Sequence, residues 1–158
     1  MQFKIEQIAI CPANPEAAIA LLTAMGAAEW AKDHVVANGR VYGQDGRNEA
    51  DLAFNYDLFG GKEFEVLNYT EGNNWMLHPE RVNSVSHLGA HCSHEELIQW
   101  RAFFADRGIY VAQEVFTESH TNPAIAGQRW YNYCIFDTKA ILGTDVKFIV
   151  RLPQPNQV

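Results

Sequence analysis

The sequence has little of what marks a disulfide-stabilised, membrane-bound or nucleic-acid-binding protein. It contains 3 cysteines in 158 residues, with no C-x-x-C spacing, which argues against a disulfide framework and excludes a structural zinc ribbon. It has no basic run and a formal net charge of -7, so it lacks the positive patch that nucleic acid or an anionic membrane needs. No apolar stretch reaches membrane-spanning length, and no signal-peptide core is present. We therefore expect a cytoplasmic protein without nucleic-acid or membrane partners.

What the sequence does contain is enough apolar material for one folded core. Apolar residues make up 47% and charged residues 20% of the chain, a composition that argues against disorder. A length of 158 residues suits one compact domain, or two small units that share a core.

Two segments carry the start and stop signals of helices. The first helix is predicted to begin after Asn14, a favoured N-cap residue, and to end at Gly26. The second is predicted to begin after Ser93, with Glu96 three residues later as a capping box, and to end at Gly108.

Segments with strand-like patterns surround each predicted helix, and turn residues such as Asn38-Gly39 and Gly60-Gly61 separate some of them. The predicted strands cover residues 3–10, 30–37, 51–58, 63–69, 85–92, 110–118, 129–137 and 145–151. Each half of the chain therefore consists of a strand, a helix and three further strands, which predicts an α+β fold.

The two halves look like copies of one unit. Glu65 and Lys147 lie 82 positions apart in similar segments, as do the two glycines that end the helices, and Gln7 and His87 lie 80 apart. We expect a first unit at 1–70, a connector at 71–84, a second unit at 85–152 and a tail at 153–158, all within one compact domain.

Because strand residues alternate between faces, Gln7, Glu65, His87 and Lys147 all fall on the faces turned away from the helices. If the two units face each other across a pseudo-twofold axis, these four side chains point into a common space. Polar groups on otherwise apolar faces are either a site or satisfied buried groups.

Three short motifs mark this repeat: Gln7-Ile-Ala-Ile opens the first unit, Phe64-Glu65-Val-Leu-Asn-Tyr ends it, and Ser86-His87-Leu-Gly opens the second. With their spacing they resemble the vicinal-oxygen-chelate superfamily, which includes glyoxalases, bleomycin-resistance proteins and extradiol dioxygenases. The resemblance covers roughly residues 3–151. It implies two βαβββ modules that form a curled, cleft-enclosing mixed sheet with the helices outside.

In metal-dependent members of that superfamily, a divalent ion is held by His or Gln on the first strand and Glu on the fourth strand of each module. The resemblance thus implies Gln7, Glu65 and His87 as ligands of Fe²⁺, Mn²⁺, Ni²⁺, Co²⁺ or Zn²⁺. The fourth position is Lys147, which departs from the pattern because a charged lysine has no acceptor. Three ligands leave open positions for a substrate. Alternatively, Lys147 pairs with Glu65 and takes the place of the metal.

Four further residues are candidates for substrate binding. His91 lies on the same strand face as His87, and His120 lies in a loop after a strand. Tyr131 and Tyr133 alternate with their neighbours, so either these two rings or those neighbours face the cleft and form a wall for a flat ligand. The simpler interpretation of His91 is a hydrogen-bonded structural histidine, and that of His120 is a solvated loop histidine. For the two tyrosines it is packing of the rings in the core.

The leading hypothesis is a small-molecule enzyme or enzyme relative, namely a metal-dependent lyase, isomerase or dioxygenase that chelates two vicinal oxygens of its substrate. Glu65 is the candidate base, and Lys147 stabilises negative charge or anchors a carboxylate. The alternatives are a metal-free binding or sequestration protein of the bleomycin-resistance type, and a noncatalytic module with a closed cleft. Modules of this kind pair within one chain or between chains, so a homodimer is also expected.

Overall fold

The computed structural model of the protein describes residues 1–72, 83–118 and 130–153. Within these residues the chain forms eight strands and three helices. The strands are β1 Gln7–Cys11, β2 Ala31–Val41, β3 Gln44–Phe59, β4 Lys62–Gly72, β5 Ser84–His91, β6 Val111–Glu118, β7 Trp130–Phe136 and β8 Asp145–Leu152, and the helices are α1 Pro15–Ala24, α2 His94–Ala105 and α3 Lys139–Leu142.

The predicted α+β class and the order of the elements are confirmed, with the short helix α3 as an addition. Most of the predicted connector at 71–84 and of the tail at 153–158 lies outside the described residues. No helix in the described ranges is long and apolar enough to cross a membrane.

Both long helices begin where the capping signals predict. The Asn14 side chain accepts a hydrogen bond from the Ala17 N–H at 3.0 Å, which satisfies one of the free donors at the start of α1. At the start of α2, Ser93 Oγ accepts from the Glu96 N–H at 3.1 Å and the Ser93 N–H donates to Glu96 Oε2 at 2.9 Å. This reciprocal pair is the capping box expected from the sequence.

The eight strands form one sheet in the order β1-β4-β3-β2-β6-β7-β8-β5, and β5 pairs with β1 to complete the circle. The two halves have the same internal order, and in each the first and fourth strands pair in parallel. Ala9 lies opposite Glu65 in β1–β4, and Gly89 lies opposite Lys147 in β5–β8. The spacings of 80 and 82 positions seen in the sequence therefore correspond to equal pairing registers.

A local twofold axis passes between β1 and β5, which are antiparallel. Gln7 lies opposite Gly89, and Ala9 lies opposite His87. Since position 7 corresponds to 87 and position 9 to 89, exchanging the two halves leaves this pairing unchanged. Side chains on the inner faces of β1 and β5 consequently meet near the axis.

The sheet closes into a barrel, so the expectation of a curled sheet around a cleft is wrong in this respect. Closure depends on an antiparallel contact between β2 and β6, which pairs Gly39–Val41 with Gln113–Val115. The predicted turn at Asn38-Gly39 is also wrong, because β2 runs through both residues. The hairpin instead turns at Tyr42 and Gly43, whose φ values of 46° and 76° suit the tight turn between twisted strands.

Gly39 allows this contact because it has no side chain. A Cβ atom there would lie 2.1 Å from the Glu114 carbonyl oxygen and 2.7 Å from Val115 Cγ1. The glycine therefore serves the approach of β6 to β2, and not a turn.

Replacing Gly39→Ala is expected to destabilise the protein by about 1–3 kcal/mol, because the new methyl group forces β2 away from β6. Urea unfolding measures the loss, and hydrogen exchange of the β2 and β6 amides locates it. Asn38→Ala, at an exposed neighbour in the same strand, is the control. Equal stability and equal amide protection in the two variants would contradict this account of closure.

The apolar core of the second half lies between α2 and the outer face of the barrel. The helix buries Leu97, Trp100 and Phe104. The Trp100 ring stacks on Phe148 with centroids 5.0 Å apart, and the Phe104 ring stacks on Phe136 at 4.4 Å. Phe136 lies in β7 and Phe148 in β8. Because these two strands turn one face towards α2, their other face lines the inside of the barrel.

Candidate functional site in the barrel interior

The barrel encloses a cavity of about 140 Å³. An engineered apolar cavity of roughly 150 Å³ binds benzene, so this space is large enough for one small ring-sized molecule. Unlike such an apolar cavity, it has charged and polar walls. The lining includes Gln7, Glu63, Glu65, Tyr131, Tyr133 and Lys147.

Three of the residues that line the cavity, Gln7, Glu65 and Lys147, are buried, and the first two contact the buried ring of His87. We call these four residues the central cluster. Gln7 Oε1 lies 3.0 Å from His87 Nε2, and His87 Nε2 lies 3.3 Å from Glu65 Oε2. Lys147 Nζ lies 3.7 Å from Glu65 Oε2. The structure thus brings together four residues that the sequence distributes over β1, β4, β5 and β8.

The central cluster contains one ion pair and one neutral imidazole. Burial, followed by the positive charge of Lys147, lowers the pKa of His87 to about 4, so this histidine is neutral at pH 7. Burial alone would raise the pKa of Glu65, but Lys147 and His87 outweigh it and the pKa is lowered. Glu65 is therefore a carboxylate at neutral pH.

The Oε2 atom of Glu65 has no hydrogen-bond partner within the described residues, although it is buried. The contacts to His87 at 3.3 Å and Lys147 at 3.7 Å are longer than ordinary charge-assisted hydrogen bonds. A buried carboxylate oxygen without a close donor is costly. This atom is the strongest sign in the cavity that a ligand belongs there.

A second carboxylate, Glu63, lies beside the central cluster. Its Oε1 accepts a hydrogen bond from Gln7 Nε2, and its Oε2 accepts one from the Tyr56 hydroxyl at 3.1 Å. Burial, followed by the negative charge of Glu65, raises the pKa of Glu63. The sequence prediction of the site missed this residue, although its place two positions before Glu65 puts it on the same strand face.

Tyr131 and Tyr133 form one wall of the cavity. Their rings stack with centroids 5.5 Å apart and an angle of 12° between the planes. Lys147 Nζ lies 4.5 Å from the centre of the Tyr133 ring, within the range of a cation–π contact. The alternating neighbour Trp130 packs instead against the core under α2, so the structure decides which pair faces the interior.

His91 lies at the margin of the cavity and does not join the central cluster. Its side chain is 58% exposed, and its Nδ1 lies 3.0 Å from Glu6 Oε2. The His91 N–H donates to the same oxygen at 2.9 Å, so the ring is held at the rim. His120 lies outside the described residues.

Three atoms of the central cluster are suitable donors to one divalent ion, namely Gln7 Oε1, Glu65 Oε2 and His87 Nε2. Adjacent donors on an ion with bonds of roughly 2.0–2.2 Å are separated by about 3 Å, close to the spacings from His87 Nε2 to Gln7 Oε1 and Glu65 Oε2. Ser86 Oγ lies 3.0 Å from His87 Nδ1 and can orient the ring from behind. Within the described ranges, no group of three or more His, Cys, Asp or Glu could hold a metal, so the amide of Gln7 has to be the third ligand.

A comparison with protein-family models and with curated proteins gave no match to this chain. The function of the cavity is therefore proposed from its own chemistry.

Proposed function

We propose that the protein is a glyoxalase- or dioxygenase-like small-molecule protein that holds a divalent ion on Gln7, Glu65 and His87 inside the barrel. The single observation that carries the proposal is the buried Glu65 Oε2 without a hydrogen-bond partner in the described residues, 3.3 Å from an imidazole nitrogen. The repeated strand order and the motif spacing are consistent with the vicinal-oxygen-chelate superfamily. A bound Fe²⁺, Mn²⁺, Ni²⁺, Co²⁺ or Zn²⁺ ion would supply Lewis-acid chemistry for a substrate with two vicinal oxygens or, as iron, a centre for oxygen chemistry.

The residues of the cavity restrict what the ligand can be. The volume of about 140 Å³ admits a small molecule, and the stacked rings of Tyr131 and Tyr133 favour a flat one. Lys147 can anchor a carboxylate or stabilise negative charge on an oxygen. Glu65 can accept a proton from the ligand when it is not engaged as a metal ligand.

The protonation state of His87 favours metal binding at neutral pH. A metal ligand has to be deprotonated at the atom that binds, and protons compete with the ion below the pKa of that group. Because the pKa of His87 is about 4, the charged imidazolium is scarce at pH 7. The ring therefore offers a lone pair without first losing a net charge.

Lys147 opposes metal binding in the conformation described. Two unit charges of like sign 4 Å apart repel by about 4 kcal/mol at an effective dielectric constant of 20, and Lys147 Nζ lies 3.7 Å from the oxygen that would bind the ion. For an ion to bind at this oxygen, the ammonium group of Lys147 would have to move away on its flexible stem.

Metal analysis of the full chain, purified without chelator and reloaded with Fe²⁺, Mn²⁺, Ni²⁺, Co²⁺ or Zn²⁺, tests the proposal. We expect about one ion per chain for the best-bound metal, and a loss of more than about tenfold in affinity for Glu65→Gln, because one charged ligand is removed. Glu6→Gln, which removes an exposed carboxylate at the cavity rim, should bind as well as wild type. Fewer than about one ion per ten chains after reloading with every metal would overturn the proposal.

A metal-free binding protein of the bleomycin-resistance type is the second candidate. The observation that favours it is Lys147, which lies both 3.7 Å from Glu65 and over the Tyr133 ring, where it already neutralises the buried carboxylate. Titration calorimetry with benzoate, an aromatic carboxylate, separates the two candidates. Binding that is equal with and without chelator supports the metal-free protein, and binding abolished by chelator supports the metal-dependent one.

A further inference from the structure

A further buried amide, Gln113 on β6, lies in the wall of the cavity and is not part of the central cluster. Gln113 lines the cavity and is only 1% exposed. Its Oε1 is buried and has no hydrogen-bond partner within the described residues. A buried amide oxygen without a donor is costly. An ion held on Gln7, Glu65 and His87 does not involve this oxygen, so the atom needs an explanation of its own.

A β-bulge in β6 turns Gln113 towards the inside of the barrel. Val111 lies opposite Phe136 of β7 and Gln113 lies opposite Ile135, so β6 has one extra residue, Ala112, between them. Val111 packs against the apolar core under α2, whereas Gln113 lines the cavity. Residues two apart in a regular strand share a face, so the bulge is what separates these two side chains. Bulges often lie next to active sites, where they re-aim a side chain.

The barrel itself does not need a polar residue at this place. Gln113 of β6 aligns with Lys147 of β8 across β7. In the first half, Ala31 of β2 aligns with Glu65 of β4 across β3. Because Glu65 and Lys147 correspond, Ala31 is the counterpart of Gln113, and it also lines the cavity. The first half thus builds the same part of the wall with a methyl group, so the amide is better explained by a ligand than by the fold.

Gln113 and Lys147 are close enough to meet two edges of one small molecule. They lie two strands apart, which separates their backbones by at most about 10 Å around the wall. Ile135 lies between them and gives this part of the wall an apolar surface. A flat, ring-sized molecule that reaches Lys147 with one edge can therefore reach Gln113 with the other.

The unpartnered oxygen of Gln113 determines the chemistry of that edge. An amide oxygen only accepts hydrogen bonds, so the ligand has to bring an N–H or O–H group. An ionised carboxylate has acceptors alone and would leave this oxygen unsatisfied. The NH₂ group of the same amide is a donor, so a ligand with a donor beside an acceptor satisfies both atoms together. Lactams and primary carboxamides have this pattern in one plane.

We propose that Gln113 is a specificity-determining residue that binds the N–H and C=O groups of a lactam or primary carboxamide on the ligand of the cavity. The inference deepens the proposed function and rests on it in one respect, namely that the cavity holds a small molecule. It does not depend on a metal ion, and it applies equally to the metal-dependent and the metal-free candidate.

Titration calorimetry of the full chain with α-pyridone and with benzene, at pH 7 and with chelator present, tests this inference. The two rings have similar size, and α-pyridone carries an N–H beside a C=O. The variant Gln113→Met removes both amide partners with little change in side-chain volume. We expect its Kd for α-pyridone to rise at least about tenfold. Its Kd for benzene should stay the same or fall, because the wall becomes more apolar.

The matched control is Gln44→Met, the same substitution at an exposed glutamine at the start of β3. It should leave both dissociation constants as in wild type. Urea unfolding without ligand gives a second readout. Gln113→Met should be at least as stable as wild type, because it removes a buried oxygen that has no partner.

Equal changes of the two dissociation constants in Gln113→Met would overturn the inference, since the residue would then only shape the wall. Wild-type protein without measurable affinity for α-pyridone would do the same. So would a clear loss of stability in Gln113→Met, because the amide would then be satisfied within the protein. A chain that binds no ion but shows the expected change keeps this inference and loses the metal-dependent function.

Discussion

The variant Lys147→Met is expected to be less stable than wild type by about 3–5 kcal/mol at pH 7 in the presence of chelator. The reason is that Glu65 would remain as a buried carboxylate without the ammonium group that lies 3.7 Å from it in wild type. Both side chains are almost fully buried, so water cannot replace the lost interaction. Urea unfolding followed by tryptophan fluorescence measures the change.

The double variant Lys147→Met, Glu65→Met should recover most of that loss, because apolar replacement of a whole buried ion pair is often neutral or stabilising. Lys62→Met is the control, since Lys62 is exposed, donates to the Ile5 carbonyl and lies over the Phe59 ring at the surface. We expect it to change stability by less than about 1 kcal/mol. A Lys147→Met protein as stable as Lys62→Met would show that the ion pair does not hold the interior together.

The same variant distinguishes the two proposed functions. A divalent ion would restore a positive charge beside Glu65 in Lys147→Met, and a free concentration of 100 times its dissociation constant would return about 2.7 kcal/mol. It should also bind Lys147→Met more tightly than wild type, since the repelling ammonium group is gone. No stabilisation by any of the five metals would favour the metal-free candidate.

Acid is expected to destabilise the protein by about 3 kcal/mol between pH 6.5 and pH 4 through His87 alone. The pKa of His87 is about 4 in the folded protein, below its ordinary value of 6.5. Between these values the unfolded chain binds a proton at this site and the folded chain does not, so stability rises with pH across this window. The contribution of the neutral His87 to the free energy of unfolding is fully present above pH 6.5 and is lost at about pH 4.

Two neighbouring carboxyl groups modify this slope in opposite directions. The lowered pKa of Glu65 makes its stabilisation disappear as the pH falls below its ordinary range, which adds to the effect of His87. The raised pKa of Glu63 means that the folded protein holds that proton longer, so this group favours folding at the acid end. The effect of His87 on stability is therefore separated best from the effects of the two carboxyl groups in the upper part of its pH range.

Urea midpoints measured from pH 4 to 7 check the acid prediction. His87→Asn should flatten the dependence on pH, because the group that titrates is removed. His94→Gln, a change at an exposed histidine at the start of α2, should leave the slope as it is in wild type. Equal slopes in all three proteins would contradict the assignment to His87.

Patterns that depend on local chemistry could be read from the sequence. The caps at Asn14 and Ser93 are hydrogen bonds within one turn of helix, and both are present. The alternation of strand faces placed Glu65, His87 and Lys147 towards a common space, because the period of two is a property of every strand. The equal spacing of the motifs in the two halves then predicted that strands far apart in the chain would meet.

Features that depend on contacts between distant strands could not be read in this way. Asn38-Gly39 has the composition of a tight turn, and only the approach of Glu114 from β6 explains why the glycine lies within a strand. The contact of Glu63 with Gln7 depends on which end of the amide faces the carboxylate, a rotamer choice that no pattern of residues reveals. Closure of the barrel is a tertiary contact of the same kind.

The local twofold axis relates backbones whose side chains have opposite character. Glu65 on one side corresponds to Lys147 on the other, and Gln7 corresponds to His87. Two identical halves would present the same groups to both ends of a guest molecule, which could then enter either way round. Here the two corresponding positions carry a carboxylate and an ammonium group that lie 3.7 Å apart, so the two sides of the axis differ in charge and the two orientations of a molecule bound beside them would differ in energy.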